Sequence, residues 1–475
     1  MKRTLIWFGC RSVLFAIGAA WGLGFISSPR ATAQAPIPVG GEFQVNTYTT
    51  GGQHDGSVAA EASGDFVVVW ESIGSSGTDS IGYSIQGQRY ASNGSAQGAQ
   101  FQVNTYTTSD QSGPSVAADA DGDFVVVWHS AGSSGTDTSA YSIQGQRFAS
   151  NGSAQGAQFQ VNTYTTGYQD ASAVATDSDG DFVVVWMSAG SSGTDTSAYS
   201  IQGRRYASDG SAQGAQFQVN SYTTGYQDGP SVAADADRDF VVVWTSPGSP
   251  GTDTSGYGIQ GQRYASSGSA QGAQFQVNTY TTSGQYEGSV AVDSGGGFVV
   301  VWTSAGSSGT DTNGWSIQGQ RYLSNGSASA GQFQINTYTT GFQSDTSVSS
   351  EADGDFVVVW QSDGSSGTDT SSHSILGQRY ASDGSAQGAQ FQVNSYTTGF
   401  QEYPSVASDA DGDFVVAWQS DGSSGTDTGS YSIQGQRYGV AAPAPAVPAM
   451  SRATRFALAA ALLLFGAAYA LRRRA

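Results

Sequence analysis

Lysine stops at Lys2, and the one cysteine is Cys10. Beyond residue 33 there is therefore no disulfide framework and no thiol chemistry, although export would permit bridges. Histidine is scarce too: His54, His129 and His373 make up the set, and they fall at different places in the repeat described below. That excludes a His/Cys metal spacing and a Ser-His-Asp order. Between the two ends no stretch places apolar residues at helical spacing, which excludes a helical bundle. Positive charge is short as well. Over residues 34–438, nine arginines face 38 acids, a net charge of about −29. Such a surface repels nucleic acid and anionic lipid, and it suits cations, neutral sugars or basic partners.

What is present is a period. Phe43, Phe101, Phe159, Phe217, Phe275, Phe333 and Phe391 stand 58 residues apart. Trp70, Trp128, Trp186, Trp244, Trp302, Trp360 and Trp418 keep the same step, as does the arginine of GQRY from Arg89 to Arg437. Each unit reads as four short strands. In the second unit these are PSVAAD (114–119), DFVVVW (123–128), YSIQGQRF (141–148) and FQVNTYT (159–165), with Asp-Gly, Asn-Gly and Ser-Gly in the gaps. A unit of this size cannot bury both faces alone and must stack on copies of itself. Seven four-stranded units predict an all-β fold, a seven-bladed β-propeller over 43–438. The small residues of PSVAAD suit the strand nearest the axis, and the Phe/Val/Trp set suits the layer between blades. The chain opens with FQVNTYT and ends its seventh unit at QGQRY. The opening strand is thus expected to complete the last blade and close the ring.

Between the first two strands, DADGD places alternate carboxylates at Asp119, Asp121 and Asp123. The set recurs at Asp177, Asp179 and Asp181, at Asp235, Asp237 and Asp239, and at Asp409, Asp411 and Asp413. Glu351, Asp353 and Asp355 nearly repeat it, and the units opening at Glu61 and Asp293 have lost part of it. Alternate acids on a tight turn can converge on a hard cation, and Asp and Gly equally favour a turn through local hydrogen bonds. The hairpin SVAADADGDFVVVW resembles the FG-GAP repeat of integrin-type propellers. That resemblance implies calcium in the same loop, although Phe124 and Val127 stand where the family has a glycine and a closing acid. The seven SGTD aspartates (Asp79, Asp137, Asp195, Asp253, Asp311, Asp369 and Asp427) are expected to be solvated turn residues. The arginine of GQRY is expected to pair with a carboxylate within or between blades.

The long link after the second strand and the link between blades are expected on one face of the ring. The second link is where the copies differ most. It carries His54, Tyr168, Tyr226, Tyr286, Phe342, Phe400 and Tyr403, and the long link brings Trp315 and further tyrosines. Aromatic rings beside Asp, Gln and Asn are how a shallow sugar site is built, with Tyr168, Tyr226, Tyr286, Trp315, Phe342 and Phe400 as candidate ligand-binding residues. They also serve to plug gaps between blade tops. Near-identical blades, without an evident nucleophile or base, point to a binding or structural module rather than an enzyme. The alternatives are a propeller-type polysaccharide lyase or glycosidase, and a calcium-stabilised spacer.

The ends speak of address. Lys2, Arg3 and Arg11, an apolar run from Ser12 to Ile26, and Ala31-Thr32-Ala33 make residues 1–33 read as a signal peptide. Residues 439–450 form an Ala/Pro-rich linker, and Phe456 to Leu471 is apolar before Arg472, Arg473 and Arg474. This reads as a transmembrane helix within 451–475, its arginines on the cytoplasmic side. With Val447-Pro448-Ala449-Met450-Ser451 ahead of it, the tail resembles the PEP-CTERM and IPTL-CTERM sorting signals of Gram-negative bacteria. The resemblance implies an inner-membrane stage, an exosortase-like sorting protease, and delivery to the cell surface or medium. A permanent single-span anchor is the alternative. The expected partners are a glycan or a surface protein, with no nucleic acid and no cofactor apart from calcium.

Overall fold

A computed structural model describes residues 35–440, apart from a few positions in the long loops, such as 133–134 and 138–139. The signal peptide and the C-terminal helix expected from the sequence lie outside the described residues. Among those described, no helix is long and apolar enough to cross a membrane.

Twenty-eight strands form seven separate four-stranded antiparallel sheets. Blade 1 runs Gln53–Ala60, Phe66–Ile73, Tyr83–Tyr90 and Phe101–Gln102, and blades 2 to 6 repeat the order, with a longer fourth strand in blade 6, Ala386–Gln392. In blade 7, Gln401–Ser408, Phe414–Asp421 and Tyr431–Gly439 are completed by Ile37–Gln44 from the start of the chain. The closing ladder pairs Ile37 with Gly439 and Gln44 with Gln434, with a bulge between Val39 and Phe43. The ring is thus closed as the sequence implied. First strands pack against first strands all round, Gln53–Ala60 meeting Gln401–Ser408.

The second strand explains the phrase FVVVW. Alternate residues face opposite sides of a sheet, and here both sides are covered by neighbouring blades, so every position is apolar. Val67, Val69 and Ile85 of blade 1 share one cluster with Val116, Phe124, Val126 and Trp128 of blade 2. The seven tryptophans of these strands, Trp70 to Trp418, are fully buried. Each donates its indole N–H to the glutamine that opens its own blade, as Trp302 does to Gln285 Oε1 at 2.9 Å. Replacing Trp302 by Phe keeps most of the packing but leaves that glutamine oxygen buried and unpaired. The expected loss is about 1–3 kcal/mol, read as a lower urea midpoint. Gly145 of QGQRF is forced in the same way: a Cβ there would stand 2.7 Å from the ring of Phe159.

The fourth strand departs from expectation. FQVNTYT was to pair over seven residues, yet in blade 2 the ladder is Phe159–Gln160 alone. Asn162 is the reason. Its side chain takes over the ladder, Oδ1 accepting the Ile143 amide at 2.9 Å. Its Nδ2 donates to Asp137 Oδ2 at 2.7 Å and to the Tyr164 carbonyl, which turns the backbone away.

The SGTD aspartates are a second correction. Asp79, Asp137, Asp195, Asp253, Asp311, Asp369 and Asp427 are fully buried rather than solvated. Each receives Nδ2 of the repeat asparagine, as Asp79 does from Asn104 at 2.7 Å. Gln102 clips the same loop through the amides of Thr78 and Asp79. The long link is thereby fastened to the link between blades, which fixes the face described next. The GQRY arginines are a third correction. Arg379 does pair with Glu351. Arg147 instead binds Gln155 Oε1 at 2.6 Å and the Asp209 carbonyl of the next blade at 2.8 Å, and Arg205 and Arg263 bind Gln213 and Gln271.

Candidate functional site

The first strand begins on the face that carries both links, and there every blade bulges. The ladder register slips between His54 and Ser57 in blade 1 and at the same place in the others. The bulged residue has positive φ: Asp55 (50°), Gly113 (59°), Ala171 (50°), Gly229 (54°), Glu287 (55°), Asp345 (51°) and Tyr403 (52°). Five of the seven are not glycine, so the ring holds strained side chains around its axis.

Those side chains break the symmetry. The residue after each buried tryptophan reads Glu71, His129, Met187, Thr245, Thr303, Gln361 and Gln419, and the side chains of Glu71, His129, Thr303 and Gln419 meet a bulge of their own or the next blade. A belt of contacts crosses blade boundaries. Thr303 donates to Glu287 Oε2 at 3.0 Å, and the same oxygen accepts the Asp345 amide of the next blade at 3.1 Å. Gln361 and His373 are 3.0 Å apart, and His373 Nδ1 lies 3.0 Å from Glu402 of the next blade. Gln419 links Glu402 to His54 Nδ1 and to the Asp55 amide of blade 1. Glu71 Oε2 accepts the Gly113 amide of blade 2 at 3.1 Å, and His129 Nδ1 stands 2.9 Å from Asp170 of blade 3.

The electrostatics follow from crowding acids into a recess. Burial, then the neighbouring Asp55, pushes the Glu71 carboxyl up to about 7. Burial and the adjacent Glu287 push Asp345 up to about 6. Asp55 and Glu287 are reached by solvent, yet protein surrounds Asp55 closely enough to raise its carboxyl too. A hydrogen bond that His373 donates to the Glu402 carboxylate raises the histidine. Asp170 is partly buried, but the bond and charge of His129 overcome burial and hold it below the usual carboxylate range. The mouth thus offers Glu71, which still carries a proton near neutral pH, and Asp345, which takes one in mildly acid solution, beside an Asp170 held ionised.

Around this belt stand the rings expected from the sequence. Tyr168 packs on Tyr141 at 5.5 Å and Tyr226 on Tyr199 at 5.4 Å. Tyr286 lies between Tyr257 and Trp315, Trp315 meets Phe342, and Phe400 meets His373. Tyr168, Tyr226 and Phe342 remain 50–56% exposed, and Phe400 39%. Each ring braces its neighbour and still presents a face to solvent.

The acidic turns lie on the opposite face. In blade 2, Asp119 Oδ1 accepts the amides of Asp121 and Asp123, each at 3.0 Å, while Asp123 takes the Ser150 amide and Gln155. Asp121 points to solvent. Blades 4 and 7 repeat this at Asp235, Asp237 and Asp239 and at Asp409, Asp411 and Asp413. Among the described residues, the acids whose donor atoms all lie within 4.8 Å of one another are Glu351, Asp353 and Asp355, and Glu351 is already paired with Arg379. Sequence reasoning passed over Glu71, Glu287, Asp345 and Glu402. They stand in three columns that vary from blade to blade, the one after the tryptophan and the two after the first-strand glutamine, and in so acidic a chain that variation alone does not mark them.

No family model matches the chain. No curated protein matches it. Solved structures do match in fold. A polysaccharide lyase, an ulvan lyase bound to -[GlcA(1-4)Rha3S]-, is similar at 9% identity over 85% of this chain and 94% of that one, TM-score 0.50. The same ulvan lyase without that ligand gives 10% identity over 85% and 94%, TM-score 0.50. The NanB sialidase from Streptococcus pneumoniae gives 10% identity over 84% and 70%, TM-score 0.45. At such identities the likeness is one of fold, that of a β-propeller. It overturns the expectation that the chain is not an enzyme: propellers of this architecture include a polysaccharide lyase. The symmetry argument behind that expectation fails as well, because the blades differ where they face the axis.

Proposed function

We propose that the mouth of the loop-rich face binds a polysaccharide. One observation carries this reading. A chain that keeps its blades nearly identical departs from itself at the mouth, and there it sets half-exposed rings beside carboxyls, histidines and amides. Rings cover the apolar face of a sugar, and the polar groups take its hydroxyls. The signal-like residues 1–33 and the sorting-like tail would set this mouth outside the inner membrane, where surface glycans are met. A glycan array with the full chain should show binding. Tyr168→Ala, Tyr226→Ala, Phe342→Ala and Phe400→Ala should each weaken it by about 2- to 10-fold, the scale of a ring contact. Leu323→Ala, exposed at the other end of its blade, should change nothing. Unaltered binding in all four ring variants would reject the reading.

The acid pair favours a second reading of the same mouth, cleavage of the bound polysaccharide. Asp345, its carboxyl pushed up to about 6, takes a proton in mildly acid solution, and Glu287 lies beside it, a close carboxyl pair of the kind that lyases and glycosidases use. Asp345→Asn would then stop the release of new chain ends while leaving binding intact. No release from any bound polysaccharide by the unaltered chain would remove this second reading and leave the first.

A further inference from the structure

On the face opposite the mouth, the first acid of a turn aims across the blade boundary at the turn glycine of the next blade. A Cβ on Gly180, Gly64 or Gly296 would stand 2.7, 2.8 or 3.0 Å from Oδ2 of Asp119, Asp409 or Asp235. In all three aspartates Oδ1 is spent on the turn itself. Oδ2 is left facing an interblade cleft, and burial raises each of these carboxyls.

One boundary is filled by the protein itself. The turn of blade 4 reads DADRD, and Arg238 takes the glycine's place with φ at 69°. That conformation costs a non-glycine residue of order 1 kcal/mol. Its guanidinium enters the acids of blade 3. Nε lies 3.2 Å from Asp177 Oδ2, Nη1 lies 3.2 Å from Asp181 Oδ2, and Nη2 binds Asp179. Three carboxylates surround one planar cation, each meeting a different nitrogen. The cleft there is about 30 Å³. It is about 370 Å³ between blades 7 and 1, about 280 Å³ between blades 2 and 3, and about 230 Å³ between blades 4 and 5. The cleft between blades 1 and 2 is closed in another way, by the longer Glu61 reaching Gly122. Arg147, Arg263 and Arg437 border the open clefts, but each is tied to a backbone carbonyl of the next blade.

We propose that the three open clefts, at Asp119–Asp123, Asp235–Asp239 and Asp409–Asp413, are guanidinium sites that take arginine side chains of a basic protein partner, as the acids of blade 3 take Arg238. The inference is independent of carbohydrate binding at the mouth. Several such side chains on one partner would bind together more tightly than any one alone.

Calorimetric titration of the full chain with ethylguanidinium tests it. Three equivalents should bind. Arg238→Gly opens the cleft of blade 3 and should raise the number to four. Gly180→Arg fills the Asp119 cleft from within and should lower it to two. Should either variant fold poorly, Asp119→Asn, Asp235→Asn and Asp409→Asn combined should abolish binding without altering bulk. A hexa-arginine peptide should bind at least about tenfold tighter than hexalysine, because lysine cannot present three separate nitrogens to three carboxylates. Stoichiometry indifferent to Arg238→Gly and Gly180→Arg, or equal affinity for the two peptides, overturns the proposal. So does displacement of ethylguanidinium by one calcium ion per cleft, which would make these metal sites.

Discussion

A chain lacking residues 35–50 is expected to lose cooperative folding rather than merely lose a strand. The deleted segment supplies the outer strand of blade 7. It also supplies Val45, buried in the cluster between blades 7 and 1. Burying one such side chain contributes about 1.5–3 kcal/mol. Asn46 donates to the buried Asp427 at 2.8 Å, and its Oδ1 accepts the Ile433 amide. Without Asn46 a buried carboxylate loses a hydrogen-bond donor, a loss of about 1.5–3 kcal/mol. Gln44 clips the amides of Thr426 and Asp427, and Glu42 Oε2 accepts those of Ser395 and Tyr396. Glu42 does at the seam what Gln100 does for Thr47 and Tyr48. The sum is comparable with the roughly 5–15 kcal/mol that holds an ordinary domain together. Urea unfolding of the truncated chain should lose its single sharp transition, and scattering should report a larger, open particle. An unchanged midpoint and radius would mean that the ring does not depend on its seam.

Glu71→Gln should stabilise the protein above neutral pH and change the shape of its pH dependence. The folded carboxyl, pushed from 4.5 to about 7, holds a proton in the window where the unfolded chain has released it. Stability from this group is therefore fully present below about 4.5, falls as pH rises toward 7, and is flat beyond. The full loss is about 3 kcal/mol, at about 1.4 kcal/mol per pKa unit. Glutamine keeps an oxygen for the Gly113 amide and has no charge to bury. Urea midpoints measured from pH 4 to pH 8 should coincide for the two proteins at the acid end and diverge in favour of the variant at the other. Asp345 contributes a fall of the same sign between 3.8 and about 6, present in both proteins. A variant no more stable than its parent at pH 8 contradicts the burial described for Glu71.

Most of the architecture could be read from letters because it repeats. Trp128 and its equivalents, 58 residues apart, named the core strand, and the unmatched FQVNTYT at the start named the seam. Where the reading failed, a side chain did what backbone or solvent was expected to do. Asn162 replaces ladder bonds and so shortens the fourth strand, and the same residue makes a buried partner of Asp137. Neither is visible in PSVAAD-like alternation or in turn composition. The bulge was hidden for another reason. Its positive φ is held by the ring, at positions occupied by Asp, Ala, Glu and Tyr as well as Gly, so composition gives no mark of it. The rings of the mouth were legible because aromatics in links are conspicuous. The acids beside them were not, since an Asp or Glu in so acidic a chain carries no distinction until the fold brings Glu287 against Asp345 or Glu71 against Gly113.

The most direct test of the account gives the mouth the residues of blade 4 wherever an acid or histidine of the belt departs from them. His54, Asp55, Glu71, His129, Glu287, Asp345, His373 and Glu402 are exchanged for the residues that blade 4 has at the same places, Asp228, Gly229, Thr245 and Tyr257, and the chain is returned to the glycan array. The account predicts an intact ring, since none of these side chains belongs to the Trp and Val core, with polysaccharide binding lost. A ring so altered that binds the same glycans with the same affinity would show that these departures from the repeat are not the site.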